Sequence, residues 1–519
     1  IIMHLKILFI CLFLIPLFFN CSQEYDIILL DGKIYDGSGK EPYLSNIAIK
    51  DGKIRKVGDV GNNARTVISA ENLIISPGFI DIHTHCDNSI TSEAKRDAVN
   101  YLKQGVTTIV TGNCGNGTYN VKEFFEKIDS AGAGPNIMHL VGHATLRNAS
   151  MEENDRAPTE DEMRNMKSLL SKAMEEGALG LSTGLFYSPG SFSETEEIIE
   201  LAGTLKSYSG IYATHLRDES SYNIGLIESV KEAIRIGEEA GVPVEISHIK
   251  ALGKPVWGKA EEVSSLIEEA QARGLKIYAD QYPYNASSTG LSAAVIPRWV
   301  QADRKMRERL SDSSLIAQIK KEISENIDRR GGPETLVIVS YSRNHDFDGK
   351  SLLEISRTLN KTVVDTAIDL VLNGSPSIIS FNMQDSDINY FIKKPYVMTG
   401  SDGNIPTFGN GKPHPRSYGT FPRKIRKYVI EENVISMEQA IRAATYLPAQ
   451  MLGLKDRGLI KEDYKADIVM FDPEKITDTA VFEEPHQYSE GIEFLIINGT
   501  IVIENGEYNG KLAGKAIRK

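Results

Sequence analysis

The sequence predicts an α/β fold: a (β/α)8 TIM-like barrel carrying a small β-sandwich domain built from both chain ends. Three observations carry this. The middle of the chain alternates short apolar strand candidates with amphipathic helices, and eight such strands can be counted. Both ends are β-rich and cut by tight turns, and neither is long enough to bury a core alone. Histidines and carboxylates gather at the C-terminal ends of the middle strands, where such barrels place their sites.

Residues 1–21 stand apart. Met3 to Lys6 ends in a base, and Ile7 to Phe19 is almost wholly apolar. The run is too short for a comfortable membrane span, so it reads as a signal peptide. It ends at Asn20-Cys21-Ser22, which resembles a bacterial lipoprotein signal whose cysteine takes the lipid. The expectation is an exported chain, periplasmic or held at a membrane surface, with no other membrane contact.

Residues 22–74 and 454–519 are assigned to the β-sandwich. Asp31-Gly32 and Asp51-Gly52 separate alternating apolar runs, a hairpin signal. Ala466–Phe471, Phe494–Asn498 and Thr500–Ile503 repeat the style near the other end.

Residues 75–453 are assigned to the barrel. Its strands are expected at Phe79–His83, Thr107–Thr111, Ile137–Val141, Leu179–Thr183, Ile211–His215, Pro243–His248, Lys276–Asp280 and Tyr396–Thr399. Helices at Asp161–Glu175, Glu194–Ser207, Leu226–Glu239 and Ala260–Arg273 fall between them. An open doubly wound sheet is the alternative, but no glycine-rich nucleotide turn follows the first strand. A plain barrel needs roughly 250 residues. The surplus fits an insertion at about 287–346 with its own charged helix.

The composition is that of a globular enzyme. Net charge is −12 with no basic run, which argues against a nucleic-acid partner. Of four cysteines, only Cys86 and Cys114 lie beyond the signal.

The chemistry starts at Gly78–His85. Residues two apart on a strand share a face, so Asp81, His83 and His85 point together. Paired imidazoles at a strand end can hold a divalent metal. Alone they are as well read as surface histidines. However, Cys114 follows the second strand between glycines, His215 ends the fifth, His248 the sixth, and Asp402 follows the last. The chain has ten histidines, and four of them fall at such ends, which independent placement does not explain. Nitrogen and sulfur ligands suit zinc. A carboxylate beside an open metal position suits a general base. His143, after the third strand, is a candidate supporting residue.

The chain resembles the amidohydrolase superfamily, and within it the D-aminoacylase (N-acyl-D-amino-acid deacylase) family. The carriers are Gly78–His85, Gly112–Gly115, Thr214–Glu219, Ser247–Lys250, Tyr282–Ser288, Gly400–Asp402 and His414–Arg423. The resemblance implies one tightly bound Zn2+ on Cys114, His215 and His248. It also implies a weaker position served by His83 and His85, with Cys114 able to bridge. It implies that Lys250, Tyr282, Ser288 and Arg416 bind the substrate carboxylate, and that Asp402 moves the proton. The expected substrate is a small N-acyl amino acid or short peptide. The loop Asn404 to Lys412 departs from the family pattern and is expected to border the pocket. Hydrolysis of dipeptides with a C-terminal D-residue and of cyclic amides are rival activities. A non-catalytic, surface-anchored metal or ligand binder is the rival of another class.

Overall fold

The structure, a computed structural model, describes residues 24–519; the expected signal, with Cys11 and Cys21, lies outside them. The first four barrel strands are β1 (Phe79–Asp81), β2 (Val106–Thr111), β3 (Asn136–His139, resumed at Val141–Gly142) and β4 (Gly180–Gly184). They continue with β5 (Ile211–His215), β6 (Val244–Ile246), β7 (Ile277–Gln281) and β8 (Val397–Thr399). All pair in parallel with their neighbours in chain order. The ring closes through backbone: the Asp402 amide donates to the His83 carbonyl at 2.9 Å, and the His85 amide to the Gly403 carbonyl at 2.7 Å. Closure therefore runs through the residues expected to carry the chemistry.

Local sequence explains the elements. β2 reads Val-Thr-Thr-Ile-Val-Thr and is buried throughout, as a strand covered on both faces should be. The helix Glu160–Glu175 begins with a capping box, Thr159 and Glu162 answering each other's amides. The helix Gly225–Ala240 turns an apolar face to the barrel. At Gly237 a Cβ would lie 2.2 Å from Val244 Cγ2, so glycine is what lets the helix seat against β6.

The chain ends do join. Ile74–Pro77 pairs antiparallel with Ile468–Phe471, so this unit reaches Pro77, past the expected boundary at residue 74. Its nine strands form one sheet, not two. A bulge between Leu29 and Gly32 lets the strand Tyr25–Ile34 pair first with Ala64–Ser69 and then with Ile74–Pro77. Ile47, Ile54 and Ile68 still share one apolar cluster with Ile468, Met470 and Ile496, so the sheet folds over its own core.

The inserted unit is longer than expected. Ser287–Gly290, Leu336–Ser340 and Ser377–Ser380 form an antiparallel sheet with the last strand in the middle. Removing residues after 346 would split this sheet. Ile319, Ile323, Leu336, Ile355, Ile368 and Ile378 give the unit a core separate from that of the barrel. The expected charged helix is real but divided, into Met306–Ser311 and Ile316–Arg329.

Candidate active site

Five strand ends bring His83, His85, Cys114, His215, His248 and Asp402 together. Cys114 Sγ is the centre: it lies 3.5 Å from His83 Nε2, 3.8 Å from His215 Nδ1 and 3.7 Å from His248 Nε2. Two ligands of one tetrahedral zinc, at ordinary Zn–S and Zn–N lengths, stand about 3.6 Å apart. Cys114, His215 and His248 therefore have the spacing of a preformed metal set. His83, His85 and Cys114 form a second possible set, and His83, His248 and Asp402 a third. His83 and His248 are buried, while the His85 side chain keeps 32% of its exposure and faces the opening.

The backbone is strained here. Cys114, His248 and Asp402 have φ of 52°, 38° and 49°, in the left-handed region that L side chains avoid. Gly112 and Gly115 also take positive φ, which lets the tight loop after β2 turn the Cys114 thiol back over the barrel mouth.

Carboxylates behind the cluster fix the rings. Asp280 at the end of β7 sits 3.0 Å from His83 Nδ1. A proton on Nδ1, donated to Asp280, leaves the Nε2 lone pair facing Cys114. Burial opposes the Asp280 charge, but His83 more than offsets it and holds the pKa below the ordinary range. Glu245 is pushed the other way, by burial first and then by the Asp280 charge. Glu219 Oε1 lies 2.6 Å from Lys250 Nζ and 3.1 Å from His248 Nδ1, while Lys250 Nζ is 2.7 Å from the same Nδ1. A metal on Nε2 requires the tautomer in which Nδ1–H donates to Glu219.

Burial pulls the pKa of His215 and of His248 well below the usual imidazole value, so both rings are neutral, as ligands must be. Burial, and after it the Asp402 charge, pushes the Cys114 thiol up. Burial also opposes the Asp402 charge, but Arg416 above all, with the His85 contact at 3.0 Å, holds its carboxyl well below the usual range.

A cavity of about 410 Å³ opens over the cluster. His85, Cys114, His215, His248 and Asp402 line it, and so do Lys250, Tyr282, Ser288 and Arg416. His83 sits beneath. The structure thus brings the five expected metal ligands, Asp402 and the four expected carboxylate-binding residues into one place. Arg416 Nη1 lies 2.8 Å from Asp402 Oδ2, but without hydrogen-bond alignment, so this is an ion pair whose N–H donors stay unspent. The Arg416 guanidinium stacks over the Tyr282 ring at 4.7 Å, and Tyr282 Oη has no partner among the described residues.

Two expectations need correction, and the sequence reading missed several residues. The loop Asn404 to Lys412 does not line the cavity. Lys412 donates to the Val339 carbonyl and Gly411 abuts Ser340, so the loop is spent on docking the inserted unit. His143 supports none of the cluster; it bonds Glu197 at 2.7 Å beside Arg147. Cys86 and Cys114 are both free thiols, and Cys86 donates to Tyr101 Oη. The sequence reading missed Glu219, Asp280 and Glu245 as supports, and Phe186, Tyr187 and Arg330 as cavity walls. Glu219 lay inside the motif Thr214–Glu219, and Asp280 ended a named strand, so position was the available signal for both.

Barrel, strand-end nitrogen and sulfur ligands, and a carboxylate at the last strand define a metal-dependent amide-type hydrolase. The amidohydrolase family profile matches residues 66–301 and 390–503. A D-aminoacylase of Alcaligenes xylosoxydans xylosoxydans is 34% identical over 96% of this chain and 98% of its own. An N-acyl-D-aspartate deacylase of the same organism is 33% identical over 95% and 94%. The crystal structure of N-acyl-D-glutamate deacylase from Bordetella bronchiseptica, with zinc and a phosphonate mimic of the tetrahedral intermediate, superposes with a TM-score of 0.83. It is 29% identical and covers 95% of this chain and 100% of its own. The chain belongs to the amidohydrolase family, in its D-aminoacylase branch.

Proposed function

We propose that the protein is a zinc-dependent hydrolase of the amide bond of N-acyl-D-amino acids, releasing a carboxylate and a D-amino acid. The observation that carries this is the shared cavity: a sulfur–imidazole metal set and a group of carboxylate-binding donors face the same 410 Å³. The names of the similar proteins support it. Cys114, His215 and His248 hold the tighter zinc in this reading. His83 and His85 would serve a weaker position, and Cys114 stands close enough to both sets to be shared.

When bound, zinc polarises the amide carbonyl and lowers the pKa of a water. Asp402 accepts the attacking water's proton and returns it to the departing nitrogen. Glu219 and Asp280 keep the rings in the tautomers that present Nε2. Arg416 offers a planar fork to the substrate α-carboxylate, while Lys250, Tyr282 and Ser288 add a charge and two hydroxyls. A carboxylate held there fixes the adjacent Cα, so the cavity reads its configuration. Cyclic amides lack that carboxylate and would leave these donors unanswered.

The test is product release over a panel of N-acyl-D- and N-acyl-L-amino acids and dipeptides, with and without chelator. Release from D-substrates alone, lost with chelator, is the expected result; equal release from L-substrates would count against the reading. Arg416→Ala should lower kcat/KM on N-acyl-D-amino acids by about tenfold to a hundredfold, the scale of a lost charged hydrogen bond. The matching amide should be a poor substrate and little affected. Equal losses on both would make Arg416 a support of its helix instead. For the N-terminus, we propose that Cys21 carries lipid; the mass of the mature first residue checks it, and a chain starting elsewhere would count against it.

A further inference from the structure

The cavity holds one more cation than the reaction uses. Lys250, Arg330 and Arg416 all line it. Lys250 has Glu219 and Arg416 has Asp402. Arg330 pairs with no carboxylate among the described residues. Its Nε donates to Tyr222 Oη at 2.6 Å, Nη1 is buried without a partner, and Nη2 makes no hydrogen bond to the described residues. The Nη donors of a guanidinium only 1% exposed thus make no hydrogen bond to the protein. A buried charge in that condition is unfavourable unless something outside the protein answers it.

The fold holds Arg330 in this place. It caps the C-terminal end of the helix Ile316–Arg329 in the inserted unit. That helix end abuts the loop after β6, because a Cβ at Gly253 would lie 2.3 Å from the Arg329 carbonyl oxygen. The same loop carries Lys250, and Leu252 on it also lines the cavity. The unit also supplies Ser288 from its strand Ser287–Gly290. Small residues, Thr289, Gly290 and Ser377, leave room on this side. A second guanidinium, Arg298, stacks on the cavity-wall ring of Phe186 at 3.9 Å with its own Nη2 unpartnered. The carbonyls at a helix end favour a cation, by about 0.3–1 kcal/mol. That accounts for a charge at position 330 but not for a buried, unpartnered Nη1 on a binding cavity.

Overall identity does not choose a side chain for the substrate, since the D-aminoacylase and the N-acyl-D-aspartate deacylase are 34% and 33% identical to this chain. The cavity residues do choose. Resting on the deacylase reading above, we propose that Arg330 receives a second carboxylate of the substrate, borne by the D-residue's side chain or by the acyl group, so that doubly anionic substrates are preferred.

The test uses the zinc-loaded full chain and pairs of acid and isosteric amide. N-acetyl-D-glutamate against N-acetyl-D-glutamine, and N-acetyl-D-aspartate against N-acetyl-D-asparagine, probe the side chain. N-succinyl-D-alanine against N-succinamoyl-D-alanine probes the acyl group. At least one pair should favour the acid by about tenfold or more in kcat/KM, and the responding pair identifies the source. Arg330→Gln should bring that ratio to within about twofold of one, and Arg330→Lys should restore part of it. No acid preference in any wild-type pair overturns the proposal, and that comparison needs no variant to fold. An unchanged ratio in Arg330→Gln overturns it too. If no substrate of any kind is cleaved, the deacylase reading has failed separately. Calorimetry then decides: D-glutamate should bind about tenfold tighter than D-glutamine, or N-succinyl-D-alanine tighter than its amide, and no acid preference in either pair overturns the proposal.

Discussion

Asp402→Asn protein should fold, keep the tighter metal and lose about 10²- to 10⁴-fold in kcat, the usual contribution of a positioned general base. The substitution removes the charge and the proton-accepting oxygen while keeping the shape. Asp402 stands 3.0 Å from His85 Nε2 and 2.8 Å from Arg416, and no carboxylate nearby can replace it, because Glu219 is already spent on Lys250 and His248. Folding stability should fall as well, by about 1–3 kcal/mol, since Arg416 is left buried without its counter-charge. The sign with pH is definite. Asp402 titrates below its unfolded value of about 3.9, so its stabilisation is full above that pH and fades as pH falls through the folded pKa. Wild type and variant should therefore differ in melting temperature at neutral pH and converge in acid. Near-normal turnover in the variant would remove Asp402 from the proton-transfer role.

Cys114→Ser should abolish tight metal binding and, with it, activity beyond detection in a standard release assay. Three imidazoles lie within 3.8 Å of the one sulfur, so no other side chain can take its central place. Serine matches the shape but does not ionise to a ligand at neutral pH. In the metal-free wild type, burial keeps the thiol neutral, so metal uptake must expel its proton. Apparent affinity should then rise about tenfold per pH unit, and binding heats in buffers of different ionisation enthalpy should report one proton released. Metal content of purified protein, measured before and after dialysis, gives the simpler check. Full retention in Cys114→Ser would show that the histidines alone hold the metal.

How much of this the sequence disclosed follows from where the information sits. A parallel strand delivers its last side chains to the barrel mouth, so His83, His85, His215, His248 and Asp402 could be read from strand ends alone. Cys114 needed its flanking glycines. The supports were not legible, because the pairing of Asp280 with His83 joins residues far apart in the chain and leaves no local pattern. The extent of the inserted unit was hidden for the same reason. Its middle strand, Ser377–Ser380, pairs with Ser287–Gly290 across an intervening core, which no hairpin signal announces. The loop Asn404 to Lys412 reads as a pocket border from its position after Asp402. Only the docking of Lys412 on Val339 shows that it leads elsewhere.

The left-handed backbone at Cys114, His248 and Asp402 bears on how this protein would respond to selection. An L-residue held there gives up about 1–2 kcal/mol that glycine would not. Glycine's greater freedom in the unfolded chain takes back about 0.5–1 kcal/mol. For a chain that never meets its metal, the relieved strain is offset by the lost burial of the side chain, so mutation to glycine at Cys114 is close to neutral. A heat-tolerance screen run on metal-starved cells would not purge such variants and would drift toward an inert scaffold. Only a screen that scores turnover, or supplies zinc throughout, would keep the Cys114 thiol in the population.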